Sequence, residues 1–137
     1  MKKLWIVFAA VAMVASCTQK KHGMTYRGLL PAADGPGIEM TLTLDASVED
    51  GDTLFVLDEV YLEAGNMGED LRYTTKGTQH LISRMVDGAQ RHAYMLMPEH
   101  HEPPMYWLIV NDHTLRFVND SLQISRSGIL YDLRRIP

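Results

Sequence analysis

The sequence predicts an all-β domain, a small antiparallel up-and-down β-barrel of about eight strands, and three observations carry that prediction. No segment keeps apolar residues at helical spacing over three turns, which disfavours helical and α/β architectures. From Tyr26 onward, short runs rich in β-branched and aromatic residues are separated by turn residues at regular intervals. One run, Ile38 to Leu44, alternates without exception: Ile38, Met40, Leu42 and Leu44 share one face, while Glu39, Thr41 and Thr43 share the other. Such a row of short strands closes best as a barrel, because closure leaves no unpaired edge.

The first sixteen residues differ in kind. Lys2 and Lys3 precede an almost continuous apolar run from Leu4 to Val14, the length of a signal-peptide core and too short to span a bilayer. Val14-Ala15-Ser16-Cys17 follows, an aliphatic and two small residues before a cysteine, which is the pattern cut by bacterial lipoprotein processing. Residues 1–16 are thus expected to be a lipoprotein signal peptide, and Cys17 the lipidated residue, carrying diacylglycerol through a thioether and palmitate-type chains. An ordinary secretory signal with an adjacent cysteine, or an uncleaved anchor, would be the plainer explanation. Thr18 to Thr25, short and polar with Lys20, Lys21 and Gly23, suits a tether, giving residues 17–25 as lipidated cysteine and tether and 26–137 as the barrel domain. Thr18 stands where many lipoproteins retained in the inner membrane have aspartate. The expected location is therefore the outer membrane, lipid-anchored and facing the periplasm.

Cys17 is the only cysteine, so its acylation leaves no thiol for a disulfide, a nucleophile or a metal ligand. Loss of residues 1–16 removes two lysines, leaving eleven Lys and Arg against seventeen Asp and Glu. A domain of net charge −6 is not expected to bind nucleic acid or anionic lipid.

The strands follow in order. Tyr26 to Leu30 comes first. Pro31 to Gly37, with two prolines and two glycines, is expected to be a loop. Ile38 to Leu44 is the half-buried strand, and Thr53 to Glu63, apolar on both parities, a long and bulged one. Further candidates are Leu71 to Lys76, Gln79 to Val86, Arg91 to Met97, Met105 to Asn111, Thr114 to Val118, Leu122 to Ser125 and Ile129 to Ile136. Asp87-Gly88, Pro98, Pro103-Pro104, Asn111-Asp112, Asn119-Asp120 and Gly128 supply turns between them.

Tyr26-Arg27-Gly28-Leu29-Leu30-Pro31-Ala32-Ala33-Asp34-Gly35-Pro36-Gly37-Ile38 resembles the opening motif of the NlpE amino-terminal domain family, Tyr-x-Gly-x-Leu-Pro-Cys-Ala-Asp-Cys-x-Gly-Ile. Phe55, Leu57, Tyr61 and Leu62 are similar to the family's second long strand, and Lys76-Gly77-Thr78 to its Gly-Thr turn. Leu115-x-Phe117 with Asn119-Asp120-Ser121, and Tyr131-x-Leu133 with Arg134, resemble its last hairpin and closing strand. The resemblance implies a non-enzymatic envelope lipoprotein in copper homeostasis or in surface and envelope-stress sensing, working through an envelope protein partner. The family's Cys-x-x-Cys is replaced here by Ala32 and Gly35, neither of which can ligate a metal or form a disulfide.

Metal-ligating side chains concentrate in one stretch, Met95 to Met105. Met95, Met97, His100, His101 and Met105 are the candidate ligands, since thioethers suit Cu(I) and imidazoles Cu(II), making copper the candidate cofactor. Gap-filling methionines beside a proline-stiffened polar loop would explain the same residues. His22, His80, His92 and His113 are scattered without ligand spacing. There is no Gly-x-Ser-x-Gly elbow, phosphate-cradling loop or His-Glu-x-x-His, hence no catalytic constellation. Aromatic residues occur in nearly every strand and either fill the barrel or line a cavity. The cavity reading makes a lipocalin-like carrier of a small hydrophobic ligand the alternative function.

Overall fold

The computed structural model describes residues 23–32, 35–45, 53–124 and 126–137. Cys17 and the other residues of the expected leader lie outside the described residues. Eight strands, β1 (Met24–Ala32), β2 (Gly35–Asp45), β3 (Thr53–Tyr61), β4 (Leu71–Val86), β5 (Ala89–Pro98), β6 (Met105–Asn111), β7 (Thr114–Val118) and β8 (Asp132–Ile136), close in sequence order into one antiparallel barrel. No helix occurs among the described residues. β1 starts at Met24, two residues ahead of the expected domain start, and Thr25 pairs with both Thr43 and Ile136. Every strand finds both neighbours between Met24 and Ile136, so the sheet is hydrogen-bonded all round without the preceding residues.

Alternation sets the interior. Tyr26 and Leu30 of β1, Met40, Leu42 and Leu44 of β2, Phe55 and Leu57 of β3, Leu96, Trp107, Leu115 and Leu133 form one buried cluster inside the barrel. Ile38 packs against it, so the inward set expected for β2 holds as a whole. Burying such side chains contributes about 1.5–3 kcal/mol each, and this cluster carries most of the fold's stability.

A second cluster lies on the outer face of the same sheet. Ala93 pairs with Leu108 across β5 and β6, on the opposite parity to Tyr94 and Trp107. With Val86, Val118 and Leu122 these residues form a buried group, joined by Ile82 and Tyr106. It is covered by the long connection from β7 to β8. Asn119 organises that connection: its side-chain Oδ1 accepts from the backbone of Ser121 and Gln123, both at 2.9 Å, and its carbonyl accepts from Leu122 N. Arg84 of β4 donates to the Asp120 carbonyl and sits over the Tyr106 ring at 5.7 Å. A bidentate Arg116–Asp132 pair, at 2.8 and 3.0 Å, ties β7 to β8 on the outer side.

Several sequence expectations are corrected. Pro31 to Gly37 is not a loop throughout: Pro31 and Ala32 continue β1, Gly35 to Gly37 begin β2, and a register shift between Leu30 and Ala32 absorbs the prolines. Gly37, at φ +152, holds a backbone conformation that only glycine takes freely. Leu71 to Lys76 and Gln79 to Val86 are one strand, because Gly77 is not a turn residue. A Cβ there would strike the Met97 carbonyl and approach the Phe55 ring at 2.9 Å, so glycine permits the close approach of three strands. β3 stops at Tyr61 and pairs evenly with both neighbours; besides the shift after Leu30, register shifts between Ile109 and Asn111. Leu122 to Ile124 is not a strand, since Leu122 turns at φ +61 to plug the outer cluster, and the last strand starts at Asp132 rather than Ile129.

Candidate functional site

The barrel has two different ends. At one, the β4–β5 turn at Asp87-Gly88 and the β6–β7 turn at Asp112-His113 are tight, and the chain enters at Met24 and leaves at Ile136. The other end is a mouth rimmed by the β1–β2 turn, the β3–β4 loop, the β5–β6 loop and the β7–β8 connection. The β3–β4 loop is braced by its own carboxylates. Asp70 Oδ1 accepts from Glu63 N at 3.0 Å, Glu69 Oε2 accepts from Met67 N at 3.1 Å, and Leu62 N donates to Gly37 O.

Within the mouth lies a cavity of about 380 Å³, inside the usual range of small-molecule sites. Its walls come from five strands and Tyr131: Leu30 and Pro31, Ile38 and Met40, Leu57 and Glu59, Met105 and Trp107, and Phe117. Trp107 is fully buried, and its ring meets Phe117 edge-on at 5.2 Å, so one aromatic pair forms the back and side of the space. A neighbouring cavity of about 650 Å³, bounded by Pro103, Pro104 and Ile124, shares Met105, Phe117 and Tyr131 with the first. Glu59 is the only ionisable acid in the apolar cavity's lining. It follows Phe55 and Leu57 on the inward parity of β3, where alternation alone would place a hydrophobic residue. The Tyr61 hydroxyl donates to its Oε2 at 3.4 Å. Burial holds the Glu59 carboxyl above the ordinary glutamate value, opposed by that hydrogen bond and assisted by the Glu102 charge across the mouth. Deeper in the barrel, burial likewise pushes the hydroxyls of Tyr26 and Tyr94 up.

The aromatic residues therefore divide. Tyr26, Phe55 and the body of Trp107 fill the interior, whereas Phe117, 40% exposed, and Tyr131 line the mouth. Glu59 was not singled out by sequence reasoning, although one signal was present, a carboxylate on the inward parity of an otherwise apolar strand.

The methionine and histidine candidates are distributed on both sides of the wall. Met105 pairs with Leu96 and packs against the interior cluster, while Met95 and Met97 belong to the outward parity, opposite His80 and Thr78. His100 and His101 are exposed in the β5–β6 loop, His101 at φ +63. Among the described residues, no group of three or more histidine, cysteine, aspartate or glutamate side chains is placed to hold a metal ion. Ala32 and Gly35 pair directly across the β1–β2 hairpin and line a third recess beside Leu62.

Residues 26–127, most of the chain, match the family model of the NlpE N-terminal domain. No curated protein and no solved structure matches the chain.

Proposed function

The chain belongs to the NlpE N-terminal domain family, and from that premise we propose that it is a non-enzymatic lipoprotein of the bacterial envelope, acting in copper homeostasis or envelope-stress and surface sensing through protein contacts. The observation that carries this reading is the family match over nearly the whole barrel, joined to the Val14-Ala15-Ser16-Cys17 sequence upstream of it. In this reading Cys17 is acylated and holds the chain in the outer membrane, facing the periplasm. More than one acyl chain gives the stable anchoring that a single chain lacks. The mouth, at the end of the barrel opposite Met24, then points away from the bilayer and offers its loops to an envelope partner. Copper enters this proposal through Met95, Met97, His100 and His101 on the outer side, with Met105 across the barrel wall and outside any site those four would form, since Ala32 and Gly35 supply no thiolate.

Fractionation and intact-mass measurement test the anchor. The mature chain should be found with the membrane, cut before Cys17 and heavier by its acyl groups. Cys17→Ser should give a soluble exported form or an uncleaved precursor. Unchanged fractionation and mass in that variant would overturn the lipoprotein reading.

A second reading, a carrier of a small hydrophobic ligand, is favoured by one specific observation, the 380 Å³ apolar cavity in the mouth. It is compatible with anchoring and competes only with the view that the rim works through protein contacts alone.

A further inference from the structure

The cavity in the mouth combines two features that ordinarily exclude one another. Its walls are aliphatic and aromatic, yet a carboxylate is held among them on the inward parity of β3. A half-buried acid in such a setting loses hydration and needs a partner. Its nearest polar contact is a long hydrogen bond from the Tyr61 hydroxyl at 3.4 Å, and the groups that act on its ionisation are Tyr61 and Glu102, neither of them cationic. The described salt bridge elsewhere in the barrel, Arg116 with Asp132, shows the contrast: there a guanidinium lies 2.8 Å from its carboxylate. At Glu59 the negative site is built, and among the described residues no ion pair supplies its counter-charge.

We propose that the cavity binds a small apolar molecule carrying one cationic amine, with its body against Leu57, Met105 and Trp107 and its charge against the Glu59 carboxylate. This deepens the carrier reading given above and rests on it. A fatty acid of the same size would set its own carboxylate beside Glu59 with Glu102 nearby, and like charges at such range repel. A neutral ligand would fill the walls but leave Glu59 further desolvated without a partner. An amine satisfies the acid, and the Phe117 and Tyr131 rings at the same opening add the attraction that aromatic faces exert on cations. Metal binding needs several ligands of matched chemistry, and the cavity lining offers one carboxylate and two thioethers, Met40 and Met105, with no imidazole or thiolate.

The barrel of residues 23–137 contains every strand and both neighbours of each, and Trp107 is its only tryptophan, so its fluorescence reports the cavity directly. Octylamine, octan-1-ol and octanoate share one chain and differ in head group. Calorimetric titration and Trp107 fluorescence should show saturable binding of octylamine about tenfold tighter than octanol, a ratio typical of one hydrogen bond to a charged group. Octanoate should bind least. Glu59→Gln should bring octylamine to the level of octanol without weakening octanol itself, whereas Glu39→Gln on the outer face should change nothing. Equal affinity for amine and alcohol in the unaltered chain, or tightest binding of octanoate, would overturn the charge assignment while leaving a carrier. N-acetyl-lysine amide binding as well as octylamine would mean that the apolar walls are idle, and would overturn it too. If none of the three chains bound, the carrier reading would fall together with this inference, while the anchoring result from Cys17→Ser would stand separately.

Discussion

The inner and outer apolar clusters of this barrel are built from the same sheet but by opposite logic. The inner one gathers a residue from almost every strand, and each contributor is fixed by alternation within a regular ladder. The outer one occupies β4 to β7 only and is completed by Leu122, a residue in no strand, delivered by a turn around Asn119. Removing a member of the first breaks the closure of the whole sheet. Removing Leu122 frees a flap. The difference teaches that burial alone does not rank residues here: Leu42 and Leu122 are both almost fully buried, yet only one is held from every side by the barrel.

The largest effect should come from Leu42→Asp. An unpaired carboxylate inside the barrel is expected to cost about 4 kcal/mol or more, enough to unfold a domain of ordinary stability. Thr43→Asp, one residue along and on the outer parity, should stay within about 1 kcal/mol. Thermal melts followed by circular dichroism decide it, and equal damage at both positions would abolish the inside–outside distinction.

Next in size is Gly77→Ala. The added methyl meets the Met97 backbone and the Phe55 ring, neither of which moves freely, and about 3 kcal/mol should be lost. A melt within 2 °C of the unaltered protein would show that β3, β4 and β5 are not drawn as tightly together as their pairing indicates.

Leu122→Ala should cost about 2–3 kcal/mol in the outer cluster. The loss should be local, seen as faster proteolysis between Asn119 and Tyr131 with the barrel still melting cooperatively. If the whole sheet unfolded in step with the flap, the two clusters would be one cooperative unit.

The smallest effect concerns Glu59. Its folded-state pKa is raised, so the folded barrel binds its proton more tightly than the unfolded chain does. Stability from this group is therefore fullest below the unfolded value of 4.5 and falls as pH rises through that value toward the raised one. With the side chain only partly buried, the change should stay below roughly 1 kcal/mol. Glu59→Gln should flatten stability between pH 4 and 7 and be neutral or slightly stabilising at pH 7, as urea titrations at several pH values would record. A variant that lost stability at pH 7 would mean that the carboxylate is already well paired in the fold.

How much of this was legible in the sequence depends on whether local pattern or distant packing decided each element. The β2 alternation was read correctly because one face of that strand is buried along its whole length, so side-chain polarity encodes position directly. The Asp87-Gly88 turn was equally visible, and the β6–β7 turn falls at Asp112-His113, one residue beyond the Asn111-Asp112 signal. Gly77 misled because glycine marks both turns and close approaches, and the approaching Met97 lies twenty residues away. The Pro31 to Gly37 segment misled for a related reason, since a bulged hairpin tolerates prolines that a central strand would not. Leu122 to Ser125 has strand-like composition, but Asn119 captures the Leu122 N–H through its carbonyl and the Gln123 N–H through its side chain first. At the site, Glu59 was readable only once the parity of β3 was known, and the methionine and histidine cluster, compact in sequence, is divided by the barrel wall in space.

One feature of the connectivity bears on how the domain can be joined to other things. Thr25 pairs with Ile136, so the first and last strands lie side by side and the two ends of the barrel segment emerge together at the tight-turned end. A short glycine–serine bridge from Pro137 to Gly23 would therefore circularise the barrel segment, and new ends could be opened in the exposed β3–β4 loop near Met67. By the same geometry, a protein fused after Pro137 would emerge beside the start of β1, at the end of the barrel away from the rim loops.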